Sequence, residues 1–303
     1  MKRRRLDLDE RTITSLLTAL SSGSLPAEPL VEETNKLVSY CMEHGIDFNI
    51  QMHNALLRAH AQAHRLDLMM DAYASLKSSH VRPDATTFSI LIGAAGKHRD
   101  APSTASHERI DALSLFEEAR RVLRPRDIDV RLLSSVISAL KQSDAPDELR
   151  RGVQLLQEYF FPPGDGAARG KLTPDVFIYT LSLVLLLRIG TPESTAMLRD
   201  VLARLGSAAD SGDIQLDAFI VRPMLQACAT LRDVQLAEDV WKRAGQLGLR
   251  TIYSYETMVE TYVRLGEHAK GAFSDLLLLW LFLCFLCLFM TSPAFCASFQ
   301  CLF

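Results

Sequence analysis

Apolar positions along this chain fall in short, paired stripes. Leu56, Leu57 and His60 share one face of a first predicted helix. Leu66, Met69, Met70, Tyr73 and Leu76 give the i, i+3, i+4, i+7 series of a second. Pro83 cannot extend that second helix, because it lacks a backbone donor and its ring collides with the preceding turn. Asp84 follows, and its side-chain oxygen suits it to cap a next helix. The 35 residues from Ile50 to Asp84 therefore read helix, turn, helix, stop. The block after them, A-T-T-F-S-I-L-I, repeats the pattern of M-H-N-A-L-L. No segment alternates with period two, so no sheet is predicted. A two-helix period of this size implies a solenoid, in which no unit buries its apolar face alone and a long concave surface is left for an extended partner.

The same grammar recurs from residue 12 to 272. A divergent pair, Thr12 to Leu20 and Leu30 to His44, occupies 12–49 and ends in G-I-D-F-N. Units then follow at about 50–84, 85–129, 130–175, 176–217 and 218–251, with a partial sixth at 252–272. The second unit places Phe88, Leu91 and Ile92 in its first helix, then Ile110, Leu113, Phe116 and Ala119 in its second. Between them, Arg99 to His107 reads as an inserted polar loop. The third has Leu133, Val136, Ile137 and Leu140, then Leu149, Val153, Leu156 and Phe160, and closes through F-P-P-G-D-G-A-A-R-G to Pro174-Asp175. The fourth has Leu198, Val201, Leu202 and Leu205 as its second stripe, and the fifth has Val234, Ala237, Trp241 and Ala244. Residues 1–11 form a basic and polar end, and 273–303 an apolar tail.

The blocks N-A-L-L-R-A-H-A-Q-A-H-R-L-D, V-R-P-D and A-L-S-L-F-E-E-A resemble pentatricopeptide repeats over about Thr12 to Ala272. The resemblance is strongest at Ile50 to Asp84 and weakest in the fourth unit. The tetratricopeptide pattern, with its shorter period and small-residue spacing, fits worse. The resemblance implies an all-α, right-handed α-solenoid of helix-turn-helix repeats, with first helices lining the inner face. It also implies single-stranded RNA as partner, read at about one base per repeat. Carried over residue by residue, the base-reading pairs are Asn54 with Asp84, Ser89 with Asp129, Ser134 with Asp175, and Thr180 with Asp217. The Asn pair points to uracil and the other three to purines, preferably guanine. The divergent unit supplies Thr14 with Asn49, while Arg222 with Thr251 departs from any familiar pairing. A plainer role is open to each residue: every Asp can cap the helix that follows it, and Asn, Ser or Thr can be an ordinary polar helix residue.

Two further positions follow from the resemblance. An aromatic near each unit's start would stack on a base, each such contact being worth roughly 1–3 kcal/mol; Phe177, Phe219 and Tyr253 suit this, whereas Gln51, Thr86 and Arg131 do not. Lys97, Arg188 and Arg264 fall near first-helix ends, where a cation would meet phosphate. Lys141 is one residue early, and Gln62 and Thr230 break the row. A cation there also complements the helix dipole without any ligand.

Composition changes this picture only partly. The 303 residues carry a net charge of −3 and a pI near 6.2, less basic than strong phosphate binders usually are. Signatures of catalysis are missing: no Gly-rich phosphate loop, nucleophile elbow or paired-Cys zinc frame occurs in the repeats. His60 and His64 stand at i, i+4, but A-Q-A lies between them and no third ligand is near. The chain is read as a non-enzyme without cofactor or metal. Cys41 and Cys228 lie on apolar stripes as buried thiols, and no disulfide frame is present.

The two ends are read separately. Leu276 to Met290 is uncharged and apolar where a sixth second helix belongs. Fifteen such residues span about 22 Å as helix, short of the roughly 30 Å hydrocarbon core. The tail is expected to be either a membrane anchor or translated non-coding sequence, and only the first would make a membrane a partner. Cys284 and Cys287 form C-x-x-C there by crowding. Met1-Lys-Arg-Arg-Arg is followed by Asp7, Asp9 and Glu10, unlike an acid-poor transit peptide. The resemblance alone points to mitochondrion or plastid, and to organelle RNA processing, stability or translation. The alternatives are a protein-interaction scaffold, or the RNA-binding fragment of a protein-only ribonuclease P without its nuclease domain.

Overall fold

The computed structural model describes residues 9–23, 25–97, 111–162 and 170–266. Among these residues the chain forms thirteen α-helices, one 3-10 turn at Pro125–Asp127 and no strand. It divides into two compact units, Met1–Phe160 with Gly170–Thr173, and Phe161–Arg169 with Pro174–Phe303. The N-terminal Met1 to Arg5, the Arg99 to His107 insert, Ile110, most of the F-P-P-G loop and the tail with Cys284 and Cys287 lie outside the described residues.

The first unit contains α1 (Glu10–Ser22), α2 (Ala27–Glu43), α3 (Ile50–Gln62), α4 (Leu66–Ser78), α5 (Ala85–Lys97), α6 (Ala112–Val122), α7 (Val130–Leu140) and α8 (Pro146–Tyr159). Each odd-numbered helix packs against the even-numbered helix after it, and α1, α3, α5 and α7 pack side by side as one layer. Burial follows from this two-layer stacking, since a first helix must satisfy neighbours on both flanks as well as its own partner. In α5 the buried set accordingly runs Thr87, Phe88, Ser89, Leu91, Ile92, Ala94, Ala95 and Gly96. Gly96 marks the closest approach: a Cβ there would come within 2.8 Å of the Ala139 Cβ and 3.0 Å of its Cα.

A polar-tipped aromatic joins the layers. Tyr73 of α4 is buried edge-on against Phe88 of α5, ring centroids 6.2 Å apart at 73°. Its hydroxyl donates to Glu118 Oε1 of α6 at 3.0 Å. Burial, with the Glu118 charge beside it, pushes the Tyr73 phenol well above its ordinary range. The N-terminal core joins Ile13, Leu17, Cys41, Met52 and Ala55, which accounts for the Cys41 stripe. Two stripes differ from expectation by register. Leu115 and Leu155 are buried where Leu113 and Val153 are only partly so, because the side facing the neighbouring pair adds to the side facing the partner helix.

The second unit contains α9 (Val176–Ile189), α10 (Pro192–Asp210), α11 (Ala218–Leu231), α12 (Val234–Gln246) and α13 (Ile252–Leu265). Here α9, α11 and α13 form the first-helix layer, with α10 and α12 against them. Leu198, Val201, Leu202 and Leu205 are buried, as are Ala237, Trp241 and Ala244. Arg250 closes the α12–α13 turn, its guanidinium 4.3 Å from the Trp241 ring centre and its Nη2 donating to the Trp241 carbonyl at 2.9 Å. Burial pushes the Cys228 thiol up to about 12, so it is an inert core group at neutral pH.

Two histidines make the first unit acid-sensitive. His53 and His60 of α3 are buried, and among the described residues the Nδ1 of each has no hydrogen-bond partner. Desolvation pulls both pKa values below 6.5, opposed at His60 by Asp67. Unfolding therefore takes up protons once pH falls below the unfolded histidine value of about 6.5, so stability is full above that pH and declines as pH drops towards the folded values. Urea titrations followed by circular dichroism are expected to show a lower midpoint at pH 5.5 than at pH 7.5. A smaller drop in His60→Gln would assign part of it to that residue, and a midpoint rising with acid would refute the account.

Candidate functional site

The pattern of capping determines where the predicted site residues stand. Asn49, Asp84, Asp129, Asp175, Asp217 and Thr251 each precede a first helix. Each accepts a backbone N–H from the helix start through one side-chain oxygen: Met52, Thr87, Leu132, Ile178, Ile220 and Ser254 respectively. These bonds satisfy donors that an uncapped helix would leave orphaned. The four aspartates use Oδ1, and among the described residues no hydrogen bond engages Oδ2 of Asp84, Asp129, Asp175 or Asp217. Capping fixes each carboxylate while leaving it one oxygen for a ligand.

The partner position is the fifth residue of each first helix: Thr14, Asn54, Ser89, Ser134, Thr180 and Arg222. Asn54 and Asp84 are brought together, Asn54 Nδ2 donating to Asp84 Oδ1 at 3.1 Å across thirty residues of sequence. Thr87 joins them, its Oγ1 donating to Asn54 Oδ1 at 2.7 Å. The other pairs are not so joined. Ser89 Oγ is buried and, among the described residues, has no hydrogen-bond partner, while Asp129 caps α7. Ser134 and Thr180 donate back to the Val130 and Val176 carbonyls, and Ser134 and Asp175 belong to different units. Thr14 donates to the Glu10 carbonyl, and Asn49 donates to the Glu10 carboxylate. Arg222 is exposed and Thr251 is held in a capping box with Ser254. Asn54, Ser89 and Ser134 are only 7–9% exposed.

Second positions behave differently. Phe177, Phe219 and Tyr253, each the second residue of its helix, are 51%, 82% and 63% exposed. Large rings left in water at one repeated position of the second unit are an available stacking surface. The corresponding Gln51, Thr86 and Arg131 of the first unit give no such ring. Lys97, Arg188 and Arg264 are exposed and each is the thirteenth residue of its helix. Gln62, at the same place in α3, donates instead to the Gly23 carbonyl. Lys141 is the C-cap of α7.

Chemistry of other kinds finds little footing. His64 has left α3 and has a φ of 57°, so its i, i+4 spacing from His60 does not place the two rings on one helix face. Among the described residues no group of three His, Cys, Asp or Glu side chains is arranged to hold a metal ion. No helix among them is long and apolar enough to cross a membrane. Thr87 is the participant that the sequence did not expose, since its type and position read simply as the start of the next helix.

Comparison with known proteins adds to this geometry. Residues 36–98 match the model of the pentatricopeptide repeat domain. No curated protein matches the sequence. The crystal structure of the pentatricopeptide repeat protein PPR10 from maize is similar with a TM-score of 0.56 and 18% identity, covering 91% of this chain and 34% of that one. A second PPR10 crystal structure, in complex with an 18-nt psaJ RNA element, aligns with a TM-score of 0.47 and 18% identity, over 90% of this chain and 40% of that one. The first likeness shows a shared fold of stacked helix-turn-helix repeats, the α-solenoid architecture. The chain spans about a third of the length of that maize structure.

Proposed function

We propose that the chain, whose residues 36–98 match the pentatricopeptide repeat domain, is a pentatricopeptide repeat protein that binds single-stranded RNA with base selectivity and serves organelle RNA processing, stability or translation in a mitochondrion or plastid. The observation that supports this best is the Asn54–Asp84 pair, two residues thirty positions apart that meet at 3.1 Å where a base-reading pair would stand. The free Oδ2 atoms, the unpartnered Ser89 hydroxyl and the exposed rings of the second unit support it further. In this reading Asp84 with Asn54 selects uracil, and Ser89 with Asp129 and Thr180 with Asp217 select purines. Phe177, Phe219 and Tyr253 stack on bases, while Lys97, Arg188 and Arg264 meet phosphates. The repeats act without catalysis or cofactor.

Fluorescence anisotropy against randomised single-stranded RNA tests it. Asn54→Ala is expected to change base preference at one position. Arg188→Ala is expected to weaken all sequences alike and to lower the salt slope by about 0.7, the value of one single-strand phosphate contact. If no RNA binds below about micromolar at moderate salt, while a peptide partner is captured, the concave face is a protein scaffold.

A further inference from the structure

We propose that Thr87 is a positioning residue for base selection, resting on the RNA-binding reading above: its hydroxyl holds the Asn54 carbonyl inward, so that Asn54 offers a base only its amino group. The hydrogen-bond inventory leads to this assignment. Thr87 is fully buried at the third position of α5. Its Oγ1 accepts from the Asp84 N–H at 3.1 Å, leaving a single hydroxyl proton to donate. Two oxygens are in reach, Asn54 Oδ1 at 2.7 Å and Asp84 Oδ1 at 3.0 Å. Asp84 Oδ1 already accepts from the Thr87 N–H at 2.8 Å and from Asn54 Nδ2 at 3.1 Å. The proton therefore goes to Asn54 Oδ1, the shorter contact and the oxygen with no other donor.

A flipped amide would set the Asn54 carbonyl against the Asp84 carboxylate, two acceptors facing each other. Thr87 and Asp84 thus fix one orientation from opposite sides. One Asn54 N–H is spent on Asp84 and one remains, while Asp84 Oδ2 carries no hydrogen bond among the described residues. A held donor together with a held acceptor can discriminate among bases. A hydrogen bond to the carbonyl side is absent from that edge because Thr87 has taken it.

Among the described residues no other repeat joins these three groups. The third residues of α3, α7, α9 and α11 are Met52, Leu132, Ile178 and Ile220, without a hydroxyl, and Thr12 of α1, which has one, bonds its own cap Asp9. Ser254 of α13 has one, but uses it on the Thr251 backbone. The fifth-position hydroxyls of Ser134 and Thr180 turn back to their own helices. Selection is consequently sharpest at the Asn54 unit and looser at the others.

The test uses the full chain with Thr87→Val, which keeps the shape and removes the hydroxyl, and Thr87→Ser, which restores it. In the free protein, the two Asn54 side-chain N–H signals in nitrogen–proton correlation spectra are expected to shift and move together in Thr87→Val and to return in Thr87→Ser. Against a randomised single-stranded RNA pool, Thr87→Val is expected to flatten discrimination at one position by about tenfold, the worth of one net hydrogen bond. That position should be the one altered by Asn54→Ala, and overall affinity should change less. A purely structural tie between α3 and α5 would lower thermal stability in Thr87→Val without moving base preference, and that result overturns the proposal. Unmoved Asn54 signals would overturn the amide lock itself. A wild-type pool with no preferred base at any position overturns the selectivity role and the base-reading premise together, while the spectra still report on the lock.

Discussion

Phe88→Ala is expected to destabilise the first unit by about 3–5 kcal/mol, the usual cost of emptying a buried phenylalanine site. Phe88 is fully buried and its ring faces the edge of Tyr73, whose hydroxyl is held by Glu118. Alanine there removes the ring that fixes Tyr73, and through it the α4–α5–α6 junction. Because stacked repeats are stabilised mainly by their neighbours, the loss should spread to the adjacent pairs rather than remain local. Urea unfolding by circular dichroism, with hydrogen exchange to locate the loss, is the measurement. A midpoint within error of wild type would show that the junction does not hold the unit together. Gly96→Ala tests the same stack from the opposite side. Its added Cβ meets Ala139 backbone and Cβ at 2.8–3.0 Å, which a helix start or flexible tip could relieve but a packed backbone cannot, so about 1–3 kcal/mol of overpacking is expected.

Helix pairs and their caps were legible because both rest on local rules. A Pro-Asp stop and an Asp before an apolar run predict Asp84 and Asp175 as boundaries, and both cap the next helix. The stripe of α4 was equally plain, because α4 buries one face, Met69, Ala72, Tyr73 and Leu76. First helices were harder. α9 buries Ile178, Tyr179, Leu181, Ser182, Leu183, Leu185 and Leu186, nearly all round, so it has little periodicity to detect and its unit looked weakest. The Leu113 and Val153 assignments slipped for the related reason that burial at a stack depends on residues in the next repeat. Thr87 was invisible for a different cause. Its importance comes from reaching Asn54, thirty-three residues earlier in the chain, and no local spacing encodes that meeting.

The stacking rings are expected to matter more to RNA affinity than the cations. Replacing Phe177, Phe219 and Tyr253 by alanine should each weaken binding by roughly 1–3 kcal/mol, about 5- to 150-fold, if each stacks on one base. The triple variant should then fall to the level of non-specific binding. The cation row has gaps at Gln62 and Thr230 and the chain carries a net charge of −3, so screened phosphate contacts alone cannot sustain tight binding at moderate salt. The two contributions separate cleanly in salt titrations. Loss of a ring should lower affinity while leaving the salt slope unchanged, whereas Arg188→Ala should lower the slope. Because the three rings are 51–82% exposed, their removal should leave the helical melt intact, which distinguishes lost contacts from lost fold. Undiminished RNA affinity in a folded triple variant would rule out stacking at these positions.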